Sequence, residues 1–571
     1  MSTSDSTSDL YLGFDLSTQQ LKAIVITSTL TPIAQEAVNF DTDLPHYAVS
    51  KGVHVNDADH SVYAPVAMWV EAVDLLLSRF KSSGLDFSRI KGISGAGQQH
   101  GSVYWSKDAS KTLASLDPKK TLLEQFEGVF SHKWSPNWQD HSTEAECDHF
   151  EEKIGGPVKL AEISGSDAHH RFTGPQILKL RKQHPEIYDA TDRISLVSSF
   201  LASVFLGKIA PIDISDVCGM NLWDISKADW SDVLLEATAG AEGKEELRRK
   251  LGRVEPDGGA NLGAISSYFV SRYGFPSDTV ITPFTGDNPA TILALPLRPL
   301  DVIISLGTST TVLMSTPHYI PSPDYHMFAH PTTSGLYMFM LCYKNGALAR
   351  EMVRNALNGD SSADWAKFDK AITSTPPLCR KSESDPTKLG IYFPLPEIVP
   401  NAPKGTYKFS YDTASKTLTP TTWPLEQDAR AIVEGQALSM RLRSAPLLQQ
   451  GPSTIAQPHR VYLVGGGSKN TAISQVLGDV LGAADGVYEL DVGGNACALG
   501  GAYKALWAVE RESKEQSFDD LISKRWEEEG RVKKRGEGYV EGLWEQYGGV
   551  IGGFEEAERR ICKGEAKGES S

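Results

Sequence analysis

Two short hydroxyl-rich turns, far apart in the chain, coincide when laid on one another: Asp15-Leu-Ser-Thr18 and Ser305-Leu-Gly-Thr308. Each sits between two apolar, β-rich runs, as in Tyr11-Leu-Gly-Phe-Asp-Leu-Ser-Thr-Gln-Gln-Leu-Lys-Ala-Ile-Val-Ile26 and Asp301-Val-Ile-Ile-Ser-Leu-Gly-Thr-Ser-Thr-Thr-Val-Leu-Met314. Turns built of Gly, Ser and Thr offer backbone amides and hydroxyls that can surround phosphate oxygens. Two such turns facing one another could hold a polyphosphate from both sides. The copies differ at one position, where Asp15 of the first stands against Ser305 of the second. One carboxylate together with phosphate oxygens suffices for Mg²⁺, which usually keeps several of its waters. Gly and Thr also suit hairpin turns that bind nothing, and it is the recurrence of the unit that favours phosphate.

Three further strings carry chemistry. Phe284-Thr-Gly-Asp-Asn-Pro-Ala290 presents a carboxylate and an amide together, Asp287 and Asn288, a pairing in which an Asp can accept a proton from an attacking hydroxyl. The same residues make a good turn with no chemistry. Ser94-Gly-Ala-Gly-Gln-Gln-His-Gly-Ser102 brackets a Gln-Gln-His cluster with small residues. Neutral donors and acceptors of this kind suit a polyol, because each buried hydroxyl needs a partner. His100 has no second His or Cys at ligand spacing, which disfavours a metal role, and in His169-His-Arg-Phe-Thr-Gly174 the Arg171 charge opposes a cation. Gly465-Gly-Gly-Ser-Lys-Asn470 follows the apolar run Val461-Tyr-Leu-Val464 and opens a helical pattern, which permits close approach of a flat ring or a phosphate. It lacks the Gly-Lys-Ser/Thr of a Walker A loop. The small residues of Gly493-Gly-Asn-Ala-Cys-Ala-Leu-Gly-Gly-Ala502 read as tight helix packing rather than a dinucleotide fingerprint.

These residues need a scaffold larger than one core. At 571 residues the chain calls for two large domains. The recurring hairpin puts their junction near Leu297-Arg-Pro-Leu300. The spans expected are a tail over 1–9, domains over 10–297 and 298–510, and a charged extension over 511–571. Strands alternating with helices, such as Ile90-Lys-Gly-Ile-Ser94 after a helix predicted over 57–80, indicate layered α/β domains. Residues 376–388 and 450–458 read as loops from their Pro, Ser and charge content. Trp526, Tyr539, Trp544 and Tyr547 argue that the extension docks as helices on the body, with disorder expected only from Lys563. A net charge of −16 argues against nucleic acid and anionic membranes as partners. No apolar run is long enough to span a bilayer, no leader is evident, and the six scattered cysteines include no Cys-x-x-Cys pair, all of which points to reduced thiols in the cytoplasm.

Taken together and in this order, the strings resemble the FGGY carbohydrate kinases of the actin-like ATPase superfamily, over nearly the whole span 11–507. The resemblance implies two actin-like (ribonuclease H-like) domains that close on ATP and a sugar in the cleft between them, with a hinge near residue 298. Gln98-Gln-His-Gly-Ser102 is similar to members acting on D-xylulose rather than glycerol, which implies formation of D-xylulose 5-phosphate for the pentose phosphate pathway. By the same resemblance Asp287 matches the general base, and His100, Arg171, Asp287 and Asn288 match sugar-binding positions. Asp15 matches the carboxylate that helps hold Mg²⁺. Thr18 and Gly307, Thr308 and Ser309 match phosphate-loop positions, and Trp365, Gly466, Gly467 and Asn470 match the adenosine side. Asp140, in Trp138-Gln-Asp140, falls near another sugar-side string whose surroundings differ here. Lys22 reads better as the exposed face of an alternating strand than as a phosphate partner. Another polyol such as ribulose or glycerol stays open as substrate. A non-catalytic sugar or nucleotide sensor is disfavoured by Asp15 and Asp287 together, and a partner-driving ATPase by the sugar-side strings.

Overall fold

The computed structural model describes residues 8–382, 385–449, 455–491, 493–566 and 568. Its first sheet is nucleated by the predicted hairpin. Strands β1 (Leu10–Leu16) and β2 (Gln20–Thr27) pair antiparallel, and β3 (Pro32–Asn39) continues the meander. Helix α1 (Val66–Ser82) packs across β2 and β3, and β4 (Ile90–Gly97) returns parallel to β1. Every residue of β1 is buried, so apart from Asp15 its sequence shows no polar alternation, as expected of a strand covered on both faces. Val280–Ile281 and Thr285–Gly286 also lie parallel to β4, and helix α2 (Asp287–Ile292) starts directly from the second of these.

The second sheet repeats this plan. Strands β5 (Val302–Leu306), β6 (Thr310–Thr316), β7 (His326–Ala329) and β8 (Tyr337–Tyr343) form antiparallel pairs in the order β7-β8-β6-β5. Helix α3 (Ala366–Ser374) follows in the chain. Strand β9 (Val461–Val464) then lies parallel to β5, leads into helix α4 (Thr471–Leu481), and is joined by the parallel strand β10 (Val487–Leu490). The path β3-β2-β1-β4 of one sheet and β8-β6-β5-β9 of the other have the same sense of pairing throughout, which is the recurring unit seen in the sequence.

All strands of the first sheet precede residue 287 and all of the second follow residue 301, but one helix crosses this division. Helix α5 (Ala496–Glu510) belongs by position to the later part of the chain, yet it packs on β1 and β4 of the first sheet and on α2. The approach is as close as backbones allow. A Cβ on Gly13 of β1 would stand 2.0 Å from the Ala498 carbonyl oxygen, and one on Gly500 would stand 2.0 Å from that of Ala290 in α2. Lys504 of α5 then ion-pairs with Asp213 at 2.9 Å, both fully buried, and the Thr285 hydroxyl donates to the same carboxylate at 2.6 Å.

Several expectations need correction. The helix predicted over 57–80 begins only at Val66, because Ser61–Pro65 forms a strand between His54–Asn56 and Trp134–Pro136. The loop expected over 376–388 is a short 3-10 turn followed by a strand from Thr387, with residues 383 and 384 outside the described residues, as is most of 450–458. The extension contains, besides helices, strand β11 (Val532–Gly536), which pairs antiparallel with β10 and widens the second sheet. Tyr547 of the extension is buried and donates to Glu434 at 2.6 Å, and the Arg441 guanidinium lies 3.9 Å from the Trp544 ring centre. Beyond the last helix, Glu565 and Ala566 bond back to the Arg560 carbonyl rather than leaving the body. At the other end, residues 1–7 of the expected tail lie outside the described residues, and Arg89 holds the Ser8 carbonyl. Among the described residues no helix is long and apolar enough to cross a membrane.

Removing one partner of a buried ion pair strands the other, at a cost of about 3–5 kcal/mol. Lys504→Met should therefore lower stability by about that amount in chemical unfolding. An unchanged midpoint would show that α5 does not depend on Asp213.

Candidate active site

In open α/β sheets the crevice lies beyond the carboxyl ends of the parallel strands. Asp15 is the penultimate residue of β1, in register with Ala96 of β4. Thr285–Gly286 pairs with the same end of β4 and delivers Asp287 as the first residue of α2. A cavity of about 410 Å³ opens here between the two halves. Asp15, Lys22, Asp287 and Asn288 line it from one side, Ser305 and Thr311 from the other, with Gly465 beside them.

The Asp15 carboxyl is buried, its Oδ1 has no hydrogen-bond partner, and burial raises its pKa against the opposing pull of Ser17 and Lys22. Lys22 corrects an expectation. It is the register partner of Asp15 across β1 and β2, and cross-strand partners share a face of the sheet. That face looks into the cavity, where the Lys22 Nζ stands 3.9 Å from Asp15 and donates to the Gly494 carbonyl at 2.7 Å. Asp287 opens onto the cavity but is otherwise enclosed by protein. Burial, with the nearby Asp15 charge second, pushes its carboxyl up to about 7, against the Asn288 amide that donates to its Oδ1 at 2.8 Å. The Asn288 side chain donates to Asp287 at 3.1 Å and to Gln99 at 2.9 Å, which fixes its orientation beside the carboxylate. Asp216, buried close behind Gly286, accepts from the Ser198 hydroxyl, and burial raises it to about 8.

His100 takes a left-handed backbone conformation, with φ of 73°, uncommon for a residue with a Cβ. Its ring stacks on Phe172, with centroids 4.4 Å apart, and Nδ1 lies 2.9 Å from the Gly219 carbonyl. A carbonyl only accepts, so Nδ1 carries the proton. Burial, reinforced by the Arg171 charge, holds the imidazole neutral, which leaves Nε2 as an acceptor. Arg171 lies one residue before Phe172 and donates to His326 Nε2 at 3.0 Å.

The second-half residues gather around α3 and α4. Trp365 immediately precedes α3, with the Arg354 guanidinium 4.7 Å from its ring centre, and Asn470 caps α4 while donating to Asp369 of α3 at 2.7 Å. Gly466 faces open space, whereas a Cβ on Gly467 would stand 2.9 Å from Leu306. Thr308 and Ser309 are exposed in the β5–β6 turn, and the Gly307 carbonyl accepts from Ala347. Two further residues also engage protein partners. Thr18 donates to Gln98 at 3.2 Å and accepts from Trp138 at 2.8 Å. Asp140 accepts from the Val62 amide, Ser142 and Gln176, on the wall of a different pocket. Gln99 was readable only as part of a cluster, and no sequence signal pointed to His326.

Residues 136–294 match the N-terminal domain, and residues 302–509 the C-terminal domain, of the FGGY family of carbohydrate kinases. This chain belongs to that family. Probable D-xylulose kinase A of Aspergillus fumigatus is 59% identical over 565 residues, 98% of each chain. D-xylulose kinase A of Aspergillus niger is 56% identical over 566 residues, 98% of this chain and 99% of that one. The structure of a xylulose kinase from Rhodospirillum rubrum superimposes with a TM-score of 0.75 at 15% identity, covering 97% of this chain and 99% of that one. The fold of this FGGY chain is thus that of the solved kinase, with the cavity between its two sheets.

The folded chain holds the Asp216 proton up to about pH 8, whereas an unfolded Asp loses it near pH 4. Between those values unfolding releases a proton, so this group's contribution to stability falls as pH rises. The stability of Asp216→Asn relative to the unsubstituted chain should therefore increase from pH 5 to pH 8. A difference constant across that range would mean that Asp216 is ionised throughout.

Proposed function

We propose that this FGGY kinase transfers the γ-phosphoryl group of ATP to the 5-hydroxyl of D-xylulose, with Asp287 as general base. The observation that carries the reading is one cavity shared by Asp287, Asp15 and the second hairpin. The near-identity in length with fungal relatives named for D-xylulose supports the sugar.

Asp287 accepts the hydroxyl proton as the sugar oxygen bonds to the γ-phosphorus and the bridging bond to the β-phosphate breaks, releasing ADP. Its raised pKa suits the task, since a base works best near the ambient pH. Neutral His100 offers Nε2 to a sugar hydroxyl, Arg171 donates to another, Asn288, its amide N–H groups engaged, offers Oδ1 to a third, and together they hold the acceptor in line. On the other side the amides of Gly307, Thr308 and Ser309 and the Lys22 ammonium meet the phosphates, with Gly466, Gly467 and Trp365 against the nucleoside. Asp15 is suited to Mg²⁺, because it lines the cavity with one carboxylate oxygen left without a hydrogen-bond partner, and such an ion takes one or two carboxylates besides phosphate oxygens and water. The ion would neutralise charge on the transferring group. Six free cysteines fit a reducing cytoplasm.

ADP release measured with Mg-ATP across D-xylulose, D-ribulose, L-ribulose and glycerol tests this directly. D-xylulose should give the highest kcat/KM, and Asp287→Ala should lose at least about 10²–10⁴-fold in kcat. Since the base must be ionised, kcat/KM should fall about tenfold per pH unit below an apparent pKa of about 7 or less. Preference for another polyol would remove the substrate assignment, and an active Asp287→Ala would remove the base.

A further inference from the structure

The sugar-side wall contains a cation without a countercharge. Among the described residues Arg171 forms no ion pair, and its one hydrogen bond goes to a neutral ring. That ring, His326, belongs to the other half of the molecule. It opens β7, the edge strand of the second sheet.

We propose that His326 is a positioning residue for the sugar, fixing the Arg171 guanidinium from across the cleft. The inference rests on the reading that Arg171 contacts the sugar. Its geometry is set on both ring nitrogens. Arg171 is always a donor, so His326 Nε2 must accept at 3.0 Å, and Nδ1–H then donates to the Ser166 hydroxyl at 2.9 Å. His326 is 4% exposed, and burial, with the neighbouring His169, Arg171 and His100, keeps it neutral. His169 meets it edge-on, with centroids 4.6 Å apart.

A carboxylate at this position would both hold Arg171 and cancel its charge. A neutral imidazole holds the direction of one N–H and leaves the charge and the remaining donors for a ligand oxygen. The strand that carries His326 is itself anchored on the first half. The Met327 amide donates to the Gly165 carbonyl at 2.8 Å, and the Ala329 amide reaches Cys218 Sγ at 3.3 Å. Cys218 lies beside Gly219, whose carbonyl orients His100. One edge strand of the nucleotide-side half therefore braces both Arg171 and the segment behind His100, so the sugar side is complete only when the halves are together.

The test uses the full chain and the polyol of the panel above that it phosphorylates best, so that a wrong sugar is read from the unsubstituted enzyme and a wrong role for His326 from the variants. A group that only aims Arg171 contributes equally to ground and transition states. His326→Ala should raise the sugar KM on the order of tenfold, the size of one charge-assisted hydrogen bond. The ATP KM and kcat should stay within about twofold, and His326→Gln, which keeps an acceptor, should recover most of the loss. In an Arg171→Ala background, His326→Ala should add nothing. An unchanged sugar KM in folded His326→Ala, judged by its thermal midpoint, would overturn the proposal. So would a loss of equal size with and without Arg171, or a fall confined to kcat. Absence of turnover with every polyol would overturn both this proposal and the functional reading beneath it.

Discussion

The contact on which the rest of the molecule depends is the seating of one late helix, Ala496–Glu510, on the first sheet. Its backbone lies so close to Gly13 of β1, and the Ala290 backbone of α2 so close to its own Gly500, that no side chain fits at either glycine. Three elements are fixed at once: the strand that carries Asp15, the helix that begins at Asp287, and the returning chain of the second half. The Lys504–Asp213 pair secures the seam where it is fully dry. Dispersion contacts weaken steeply with a gap of even half an ångström, so this packing is what holds the two carboxylates at a set separation on one side of the cavity.

That arrangement explains the electrostatics of the cleft. Asp15, Asp216 and Asp287 crowd one end of the sheet, where Lys22 stands near Asp15 and Lys504 pairs with Asp213. Burial and mutual repulsion raise the carboxyl pKa values, as for any like charges sharing a site. A polyphosphate bound there would add negative charge, which is why amide-lined turns, an ammonium group and a divalent cation form a coherent set. The wall proposed for the sugar takes the opposite course, with three neutral histidines around Arg171, which forms no ion pair among the described residues. Neutral acceptors and one directed cation suit hydroxyls, which reward geometry more than charge.

Much of this was legible because it is written locally. The two hairpins, the Asp15 and Ser305 difference and the glycine turn after β9 are short strings with strong backbone consequences, and the small residues of 493–502 did signal a packed helix. What was not legible depends on register and on contacts between distant segments. Lys22 was misread because strand alternation tells which residues share a face but not which face meets the cavity, and only its pairing with Asp15 decides that. The partners of Thr18 (Gln98 and Trp138) and of Asp140 (Val62, Ser142 and Gln176) come from distant segments and are not visible in the sequence. His326 sits in an unremarkable strand, and its role exists only where that strand meets Arg171. The strand Val532–Gly536 was hidden by its charges, which an edge strand tolerates.

The most direct measurement is a crystal structure with D-xylulose and a non-hydrolysable ATP analogue bound together. The 5-hydroxyl is expected within about 2.6–3.2 Å of the Asp287 carboxylate, with the γ-phosphate analogue on its far side and His100, Arg171 and Asn288 on the remaining oxygens. A sugar bound elsewhere, or one whose 5-hydroxyl faces a different base while Asp287 touches only water, would contradict it.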